Sequence, residues 1–205
     1  MISQNIQMLA FDLFGVLISE GHLISNGLMH LLPANTDKKK VKTAYENYNS
    51  GDINEAEFWT TIGIDLLANK NLRAEFLNSF SLDPQYKTTI SLLKKHYRLS
   101  ILSNFPPDWA DNLSKKFQFD HSFEPQIFSG HARCKKPQPE IYQQLIKKTG
   151  LAPDQIAFID DRLENLESAH KSGMTTLYYQ REQETHTFKA DYKINKLDEL
   201  VTLFI

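Results

Sequence analysis

The chain has 205 residues, of which 23 are lysine or arginine and 25 are aspartate or glutamate, so its formal net charge is −2. This near balance provides no basic footprint for nucleic acid or an acidic membrane surface, and the single cysteine, Cys134, excludes an internal disulfide bond. No apolar stretch reaches the roughly 20 residues that span a bilayer, and the N-terminus lacks a secretory signal pattern, so we expect a cytoplasmic protein.

The first predicted element is a buried strand, Met8–Phe11, within the run MLAFDLFGVL. This run is apolar except for Asp12, which follows the strand directly. Removing a carboxylate from water is costly unless a cation or hydrogen-bond donors compensate for the lost hydration. Asp12 is therefore the first candidate for a functional residue.

An all-helical insertion is predicted next, over residues 17–81. Its amphipathic segments lie near His22–Leu32, Lys39–Tyr48, Asn54–Leu67 and Asn71–Ser79. Asn54 and Glu57 have the spacing of a capping box, which marks the start of a helix. The lysine run at Lys38–Lys40, with Lys42, is interpreted as a solvated helix face.

From residue 97 onward, short apolar strands alternate with helical segments. The predicted strands are Leu99–Leu102, Gln126–Phe128, Ile156–Ile159 and Thr175–Tyr178, and the predicted helices are roughly Asp108–Phe117, Pro139–Thr149 and Arg162–Lys171. Asp83 before Pro84 is placed to begin a further helix, and Gly150 and Gly173 are placed to end two others. A polar loop is predicted over Gln180–His186.

These elements predict an α/β fold with a Rossmann-like parallel sheet. The connections between strands are long enough for crossovers, which parallel pairing requires. The strands are continuously apolar, as expected where both faces of a sheet are covered. We therefore predict a core domain formed by residues 1–16 and 82–205, with a helical cap domain, residues 17–81, inserted after the first strand.

Several polar and charged residues follow the predicted strands or precede a predicted helix: Asp12, Ser103, Asn104, Lys136, Asp160 and Asp161. In an open parallel sheet, ligands bind beyond the carboxyl ends of the strands, so these residues are expected to meet at one edge. Three neighbouring carboxylates repel each other unless a cation lies between them. A hard divalent ion with oxygen ligands, most plausibly Mg²⁺, meets that need.

The order of these residues resembles the haloacid dehalogenase-like hydrolase superfamily along essentially the whole chain. The four matching motifs are the segments AFDLFGVL at 10–17, ILSN at 101–104, KPQPEIY at 136–142 and FIDDRLEN at 158–165. The predicted helical insertion is similar to the cap domain of that superfamily. Within it, the segments LSN and DDRLEN resemble the helical-cap subgroup that contains sugar-phosphate phosphatases such as glucose-1-phosphate phosphatase.

The resemblance implies that Asp12 is the nucleophile, which attacks phosphorus and forms an aspartyl-phosphate. It implies a Mg²⁺ ion held by Asp12, the backbone carbonyl of Phe14 and Asp161. Asp160 would assist from outside the ligand set, and Asn165 would hold a metal-bound water.

The resemblance also implies how the phosphoryl group is held. Ser103 would donate its hydroxyl to a phosphoryl oxygen, with help from the backbone N–H of Asn104. Lys136 would present a positive charge to the phosphoryl group and to Asp12. Ser103 and Lys136 therefore join Asp12 as expected catalytic residues, and a small phosphorylated metabolite is the expected substrate. The sequence does not indicate the oligomeric state.

Phe14 departs from the pattern of the superfamily. Its phosphatases usually carry a second aspartate at this position, which protonates the leaving oxygen. Loss of a general acid–base typically costs about 10²–10⁴-fold in rate. The enzyme would then be slow, or act on esters with good leaving groups such as acyl or anomeric phosphates, or have abandoned phosphoryl transfer. Glu20 and His22 are candidates for a substitute acid–base.

Other interpretations remain open. One is a binding protein with little or no activity. Another is a 2-haloacid dehalogenase, although that pattern carries serines at the positions of Asp160 and Asp161 and an arginine in its cap, where this insertion has only Arg73 near its far end. Asp161 is also compatible with a simple helix cap. The polar residues of the stretch Tyr45–Trp59 are candidates for contacts with a sugar-like substrate.

Ser103, Asn104 and Lys136 have structural interpretations as well. Ser103 and Asn104 are typical of a turn before two prolines, and Lys136 is compatible with a surface lysine, although Lys135 fits that description better. Phe58 and Trp59, at the end of the cap stretch, are expected to lie in the core of the insertion.

Overall fold

A six-stranded parallel sheet forms the centre of the fold in the computed structural model, which describes residues 5–181 and 185–205. The strands are β1 (Met8–Phe11), β2 (Arg98–Ser103), β3 (Gln126–Phe128), β4 (Ile156–Asp160), β5 (Thr175–Tyr179) and β6 (Tyr192–Ile194). Their order across the sheet is β3-β2-β1-β4-β5-β6, so the first strand lies between the second and the fourth. The predicted parallel α/β sheet is confirmed.

Strand β6 is the one described strand that the sequence analysis does not predict. It has three residues and the side chain of Lys193 is exposed, so it lacks the continuous apolar run of the other strands. The polar loop predicted at 180–186 precedes it, and residues 182–184 of that loop lie outside the described residues.

Ten α-helices lie in the described part of the chain. They are α1 (Met29–Leu31), α2 (Lys38–Asn49), α3 (Glu55–Thr61), α4 (Leu72–Asn78), α5 (Tyr86–Leu93), α6 (Pro107–Phe117), α7 (Ser129–Ala132), α8 (Pro139–Thr149), α9 (Leu163–Lys171) and α10 (Glu199–Phe204). A π-helical segment, Leu23–Leu28, leads into α1. None of the described helices is both long and apolar enough to cross a membrane.

Two of the predicted helix signals are confirmed and one is not. The predicted capping box is confirmed, since Asn54 Oδ1 accepts from the backbone N–H of Glu57 and the Glu57 carboxylate accepts from the backbone N–H of Asn54. Gly150 has a φ of 68° at the end of α8, a backbone conformation that glycine adopts without steric cost. The prediction that Asp83 begins α5 as its cap is wrong, because the N-cap is Gln85 and no side chain caps this helix. Asp83 Oδ1 instead accepts from the backbone N–H of Gln85 in the turn that precedes the helix.

The helical insertion lies between β1 and α5, and two of its helices are shorter than expected. Helix α3 ends at Thr61 rather than near residue 67, because Gly63 at a φ of 79° turns the chain away. The segment predicted at 22–32 forms a π-helical stretch followed by the short helix α1. The two ends of the insertion lie side by side, because the backbone N–H of Asp83 donates to the carbonyl of Leu17 at 2.8 Å.

Both faces of the sheet are covered by apolar packing. Leu9 and Phe11 of β1 belong to one buried cluster, and Ala10 belongs to a second cluster on the opposite face. This alternation follows from the pleat of a strand, in which successive side chains point to opposite faces. Phe58 and Trp59 are fully buried in the first cluster, which confirms their expected core position.

Candidate functional site

Three neighbouring strands bring acidic and hydroxyl groups to one edge of the sheet. Asp12 follows β1 directly, and its backbone N–H donates to the Ile159 carbonyl of β4 at 2.9 Å. Ser103 ends β2 on one side of β1, and Asp160 ends β4 on the other. Parallel pairing carries the carboxyl ends of these strands to the same edge. The structure thus places Asp12, Ser103 and Asp160 at one edge of the sheet.

Lys136 lies between two of the carboxylates. Its Nζ is 2.9 Å from Asp12 Oδ1 and 2.7 Å from Asp160 Oδ2, and the residue is only 3% exposed. A buried ammonium needs such partners, because transfer from water removes its hydration. The interpretation of Lys136 as a surface lysine is wrong.

Lys135 is the solvated neighbour. It pairs with Glu46 on α2 and so connects the loop before α8 to the helical insertion.

Asn104 fixes the backbone from which Lys136 projects. Its Oδ1 accepts from the Lys136 N–H at 2.8 Å, and its Nδ2 donates to the Lys136 carbonyl at 2.8 Å. This reciprocal pair joins residues 32 positions apart in the chain. The family resemblance implies a role for the Asn104 backbone N–H, whereas the local sequence carries no signal for the positioning role of the Asn104 side chain.

Asp160 is completely buried and its carboxylate is fully engaged by donors. Besides Lys136, the backbone N–H of Arg162 donates to Oδ1 at 2.8 Å, and Asn165 Nδ2 lies 3.1 Å from both oxygens. The Tyr142 hydroxyl donates to the Asn165 carbonyl at 2.8 Å, which holds the first turn of α9 in place. Asn165 thus serves the carboxylate of Asp160 directly.

Asp161 completes an acidic cluster with Asp12 and Asp160. One oxygen from each of the three carboxylates lies within 4.8 Å of the others. Gly15, at a φ of 80°, packs so closely against Asp161 that a β-carbon at this position would overlap its carboxylate. The N-cap of α9 is Arg162, and no side chain caps this helix. The interpretation of Asp161 as a helix cap is therefore wrong.

The electrostatics of the cluster show an excess of negative charge. Burial, followed by repulsion from Asp160 and Asp12, raises the pKa of Asp161 to about 8. Burial also raises the pKa of Asp160 to about 6, although Lys136 opposes the shift. Burial alone lowers the pKa of Lys136, but the two carboxylates beside it outweigh burial and raise that pKa above its ordinary value.

The donor set fits a hard divalent cation. Three carboxylates and one ammonium leave two negative charges uncompensated when all four groups are ionised. Hard cations such as Mg²⁺ prefer oxygen ligands, and the cluster offers only carboxylate oxygens. A divalent ion would balance the excess charge.

Phe14 carries an aromatic ring at the position where the resemblance implies an acid–base aspartate. Its ring lies 5.1 Å from that of Phe80 and 4.7 Å from that of Phe105, measured between centroids, and only 9% of the residue is exposed. The ring therefore packs into the aromatic core between the sheet and the insertion. Its hydrocarbon edge borders the site without offering a proton donor.

The two candidates for a substitute acid–base lie in different places. His22 lines the cavity above the acidic cluster, whereas Glu20 does not. The carboxylate of Glu20 instead accepts a hydrogen bond from the backbone N–H of His22 at 2.6 Å. Arg73, the arginine of the insertion, pairs with Glu55 at 2.5 Å and does not line the cavity. The insertion thus contributes no arginine to the site.

The cavity has a volume of about 520 Å³ and lies between the sheet edge and the insertion. Helix α2 forms much of one wall, to which it contributes Lys38, Lys42, Tyr45, Glu46 and Asn49. The Tyr45 ring stacks on Trp109 with centroids 6.2 Å apart, which fixes its direction. Burial raises the pKa of Tyr45, and the negative charges of Glu46 and Asp12 raise it further. The Tyr45 hydroxyl therefore stays a neutral donor.

Comparison with known proteins gives a consistent family. Residues 6–173 match the haloacid dehalogenase-like hydrolase family. The phosphoglycolate phosphatase of Mannheimia succiniciproducens is 31% identical over 101 residues, which is 49% of this chain and 45% of that enzyme. The glyceraldehyde 3-phosphate phosphatase of Pyrococcus furiosus is 23% identical over 97% of this chain and 92% of that enzyme. The chain thus aligns with less than half of the phosphoglycolate phosphatase.

Solved structures share the fold. A haloacid dehalogenase family enzyme from Bacteroides thetaiotaomicron, a point mutant in complex with magnesium and inorganic phosphate, superposes with a TM-score of 0.66 at 21% identity, covering 90% of this chain and all of that one. The L-2-haloacid dehalogenase of Xanthobacter autotrophicus gives 0.73 at 17% identity, covering 97% and 98%. Because the family match covers most of the chain, the protein belongs to the haloacid dehalogenase-like hydrolases.

Proposed function

We propose that the protein is a Mg²⁺-dependent phosphatase that hydrolyses a small phosphomonoester through an aspartyl-phosphate on Asp12. The observation that carries this proposal is the position of Asp12, whose carboxylate borders a cavity and is flanked by Lys136 and by a second and third carboxylate. The phosphatase relatives and the structural relative that holds magnesium and phosphate support the same reaction class.

In this proposal, Asp12, Asp161 and the backbone carbonyl of Phe14 hold the ion. Asp160 stays outside the ligand set, because its oxygens are already engaged by Lys136, Arg162 and Asn165. Asn165, which also lines the cavity, would hold a metal-bound water. When bound, the ion supplies positive charge that reduces repulsion between the nucleophile and an anionic phosphate.

Asp12 attacks phosphorus in line, and the bond from phosphorus to the ester oxygen breaks as the aspartyl bond forms. Water then attacks the aspartyl-phosphate, releases inorganic phosphate and restores the carboxylate. Ser103 and the backbone N–H of Asn104 donate to the phosphoryl oxygens, and Lys136 offsets their charge. The pair between Asn104 and the Lys136 backbone keeps that ammonium in place before substrate arrives.

The aromatic ring of Phe14 shapes which esters react. The ring of Phe14 cannot protonate the leaving oxygen. We therefore propose substrates whose leaving groups need little protonation, such as anomeric or acyl phosphates. We also propose that residues 17–81 act as a cap domain that selects the substrate, because α2 forms a wall of the cavity. A volume of about 520 Å³ is suited to a metabolite of monosaccharide size.

The dehalogenase interpretation receives less support from the site. The acidic pair Asp160 and Asp161 is present and oriented toward Asp12, and the arginine of the insertion is paired elsewhere. Attack on carbon with release of halide has no evident use for three clustered carboxylates. Phosphoryl transfer uses such a cluster, because the carboxylates hold the cation that neutralises the charge of the phosphate.

A panel of phosphate esters, assayed with Mg²⁺ and with EDTA, tests the proposal. We expect phosphate release from at least one anomeric or acyl phosphate, reduced about 100-fold or more by the chelator, since metal-ion catalysis contributes several kcal/mol. Chloride release from 2-chloropropionate in EDTA would instead establish a dehalogenase. Phosphate binding without turnover of any ester would establish a binding protein.

Metal binding should also stabilise the fold in a pH-dependent way. Because the pKa of Asp161 is raised to about 8 and that of Asp160 to about 6, the folded metal-free chain binds protons that the unfolded chain has lost. Its stability therefore falls as pH rises from about 4 to 8. Bound Mg²⁺ removes this penalty, so its stabilising effect should be larger at pH 8 than at pH 5.5.

Thermal unfolding with saturating Mg²⁺ and with EDTA measures this difference. At 100 times the dissociation constant the ion adds about 2.7 kcal/mol, which corresponds to roughly 5–10 °C in Tm for a chain of this size. The variant Asp161→Asn should unfold at a higher temperature than the wild type in EDTA at pH 8, and should gain little from Mg²⁺. An equal Mg²⁺ effect at both pH values would contradict the proposed origin.

A further inference from the structure

Two lysines of α2 lie on the wall of the cavity without an ionic partner. Lys38 and Lys42 line the cavity and are exposed, and neither forms an ion pair with any residue of the described ranges 5–181 and 185–205. Lys39 and Lys40, in the same run, are equally exposed but do not line the cavity. The solvated helix face predicted from the lysine run is therefore also part of the candidate site.

Most of the other charged groups of the wall have partners, and among the described residues Asp161 of the acidic cluster is the exception. Glu46 is paired with Lys135, and Lys136 is shared by Asp12 and Asp160. Arg162 lies 3.3 Å from Glu164. Lys38 and Lys42 are thus left as an uncompensated positive pair on the side of the cavity formed by the insertion.

The helix places this pair at the mouth of the cavity rather than at its floor. Residues 38, 42, 45 and 49 share one face of α2, since a helix repeats every 3.6 residues. At the inner end, Asn49 is only 4% exposed and its Oδ1 accepts from the Ser129 hydroxyl at 2.7 Å. With a rise of about 1.5 Å per residue, Lys42 lies about 10 Å along the axis from Asn49, and Lys38 about 6 Å further out.

We propose that Lys38 and Lys42 form a second anion subsite, so that the preferred substrate is a phosphate ester with another anionic group at its far end. This inference rests on the proposed function, in which Asp12, Ser103 and Lys136 take the phosphoryl group at the floor. A carboxylate or second phosphate at the far end then meets two ammonium groups that have no ionic partner among the described residues. A neutral end gains no such contact.

The test compares esters that differ only in this end group. Glucuronic acid 1-phosphate and glucose 1-phosphate form one pair. The alkyl esters 3-phosphoglycerate and glycerol 3-phosphate, which need protonation of the leaving oxygen, form a shorter pair that is compared by binding alone. We expect the wild type to prefer the carboxylate in at least one pair. The double variant Lys38→Gln/Lys42→Gln should lose about tenfold of this preference, mainly through KM, as expected for two partly exposed ion pairs.

The matched control is Lys39→Gln/Lys40→Gln, which removes the same charge from the same helix. This control variant should keep the preference for the carboxylate within about twofold. In the wild type, the preference should decline as the salt concentration rises from about 0.05 to 0.5 M, because the screening length becomes about threefold shorter. An equal loss with both double variants, or an equal loss for charged and neutral esters, would overturn the subsite. A bisphosphate preferred over either carboxylate would identify phosphate as the second group.

Calorimetric binding separates this inference from the proposed function. The esters are titrated into Asp12→Asn in the presence of Mg²⁺, so that affinity is measured without turnover. Carboxylate-selective binding that disappears in the Lys38→Gln/Lys42→Gln background supports the subsite even when no ester is hydrolysed by the wild type. Hydrolysis of charged and neutral esters at equal rates and affinities supports the phosphatase and excludes the subsite.

Discussion

Replacement of Asp12 by asparagine should reduce phosphate release at least about 10⁴-fold while the protein stays folded. Asparagine keeps an oxygen for the hydrogen bond that Asp12 Oδ1 accepts from the Leu13 N–H at 2.7 Å. It removes the nucleophile, and loss of a covalent nucleophile typically costs several orders of magnitude. The measurements are kcat with the best ester of the panel and the Tm of the same sample.

Stability should not decrease in this variant. Asp12→Asn removes one of three clustered negative charges, and Lys136 retains Asp160 as a partner at 2.7 Å. Metal-free Asp12→Asn should therefore unfold at the same temperature as the wild type or a higher one. A loss of activity that is accompanied by a loss of the fold would show that Asp12 acts as a structural residue.

The matched control is Asp52→Asn, which changes the same functional group at an exposed position of the insertion. It should retain wild-type kcat within about twofold, because most surface substitutions are nearly neutral. Activity of Asp12→Asn within tenfold of the wild type would contradict the covalent mechanism. Phosphate release would then require a water activated by another group.

The position of the candidate site could be predicted from the sequence because topology determines it. Apolar runs separated by crossovers indicate a parallel sheet, and the residue after each run then lies at the carboxyl edge. Asp12, Ser103 and Asp160 follow this rule, and the order of the strands places β1 between β2 and β4. The convergence of these three side chains follows from the backbone alone.

Contacts between side chains of distant segments could not be predicted in this way. The pair between Asn104 and the Lys136 backbone, and the ion pair between Lys135 and Glu46, depend on how loops meet in space. No local pattern in the sequence indicates that either of these two contacts forms. The face of α2 that lines the cavity depends likewise on how the insertion docks, so the lysine run alone does not separate Lys38 and Lys42 from Lys39 and Lys40.

Phe14 illustrates a limit of motif reasoning. The resemblance to the family implies an aspartate at this position and the sequence has Phe14, but the sequence does not show what the ring does. Packing against Phe80 and Phe105 places Phe14 in the contact between the sheet and the insertion. Phe14 is therefore part of the packing between these two units, a role that the motif does not reveal.

Replacement of Lys136 by methionine should destabilise the fold by about 3–5 kcal/mol at pH 7.5 and abolish activity. Methionine fills a similar volume but leaves Asp12 and Asp160 without their shared cation, and breaking one partner of a buried ion pair has a cost of this size. Chemical denaturation at pH 7.5, in EDTA, measures the change in the free energy of unfolding.

The defect of Lys136→Met should shrink as pH falls, and this separates lost charge from lost packing. Lys136 lowers the pKa of Asp160, so its removal raises that pKa further above about 6. Below pH 6 the carboxyl is protonated in the folded state and needs no partner, so most of the lost stability should return near pH 5. The neighbouring variant Lys135→Met, which breaks an exposed pair, should cost about 1 kcal/mol or less at either pH. A pH-independent defect in Lys136→Met would mean that packing, not charge, determines the role of this lysine.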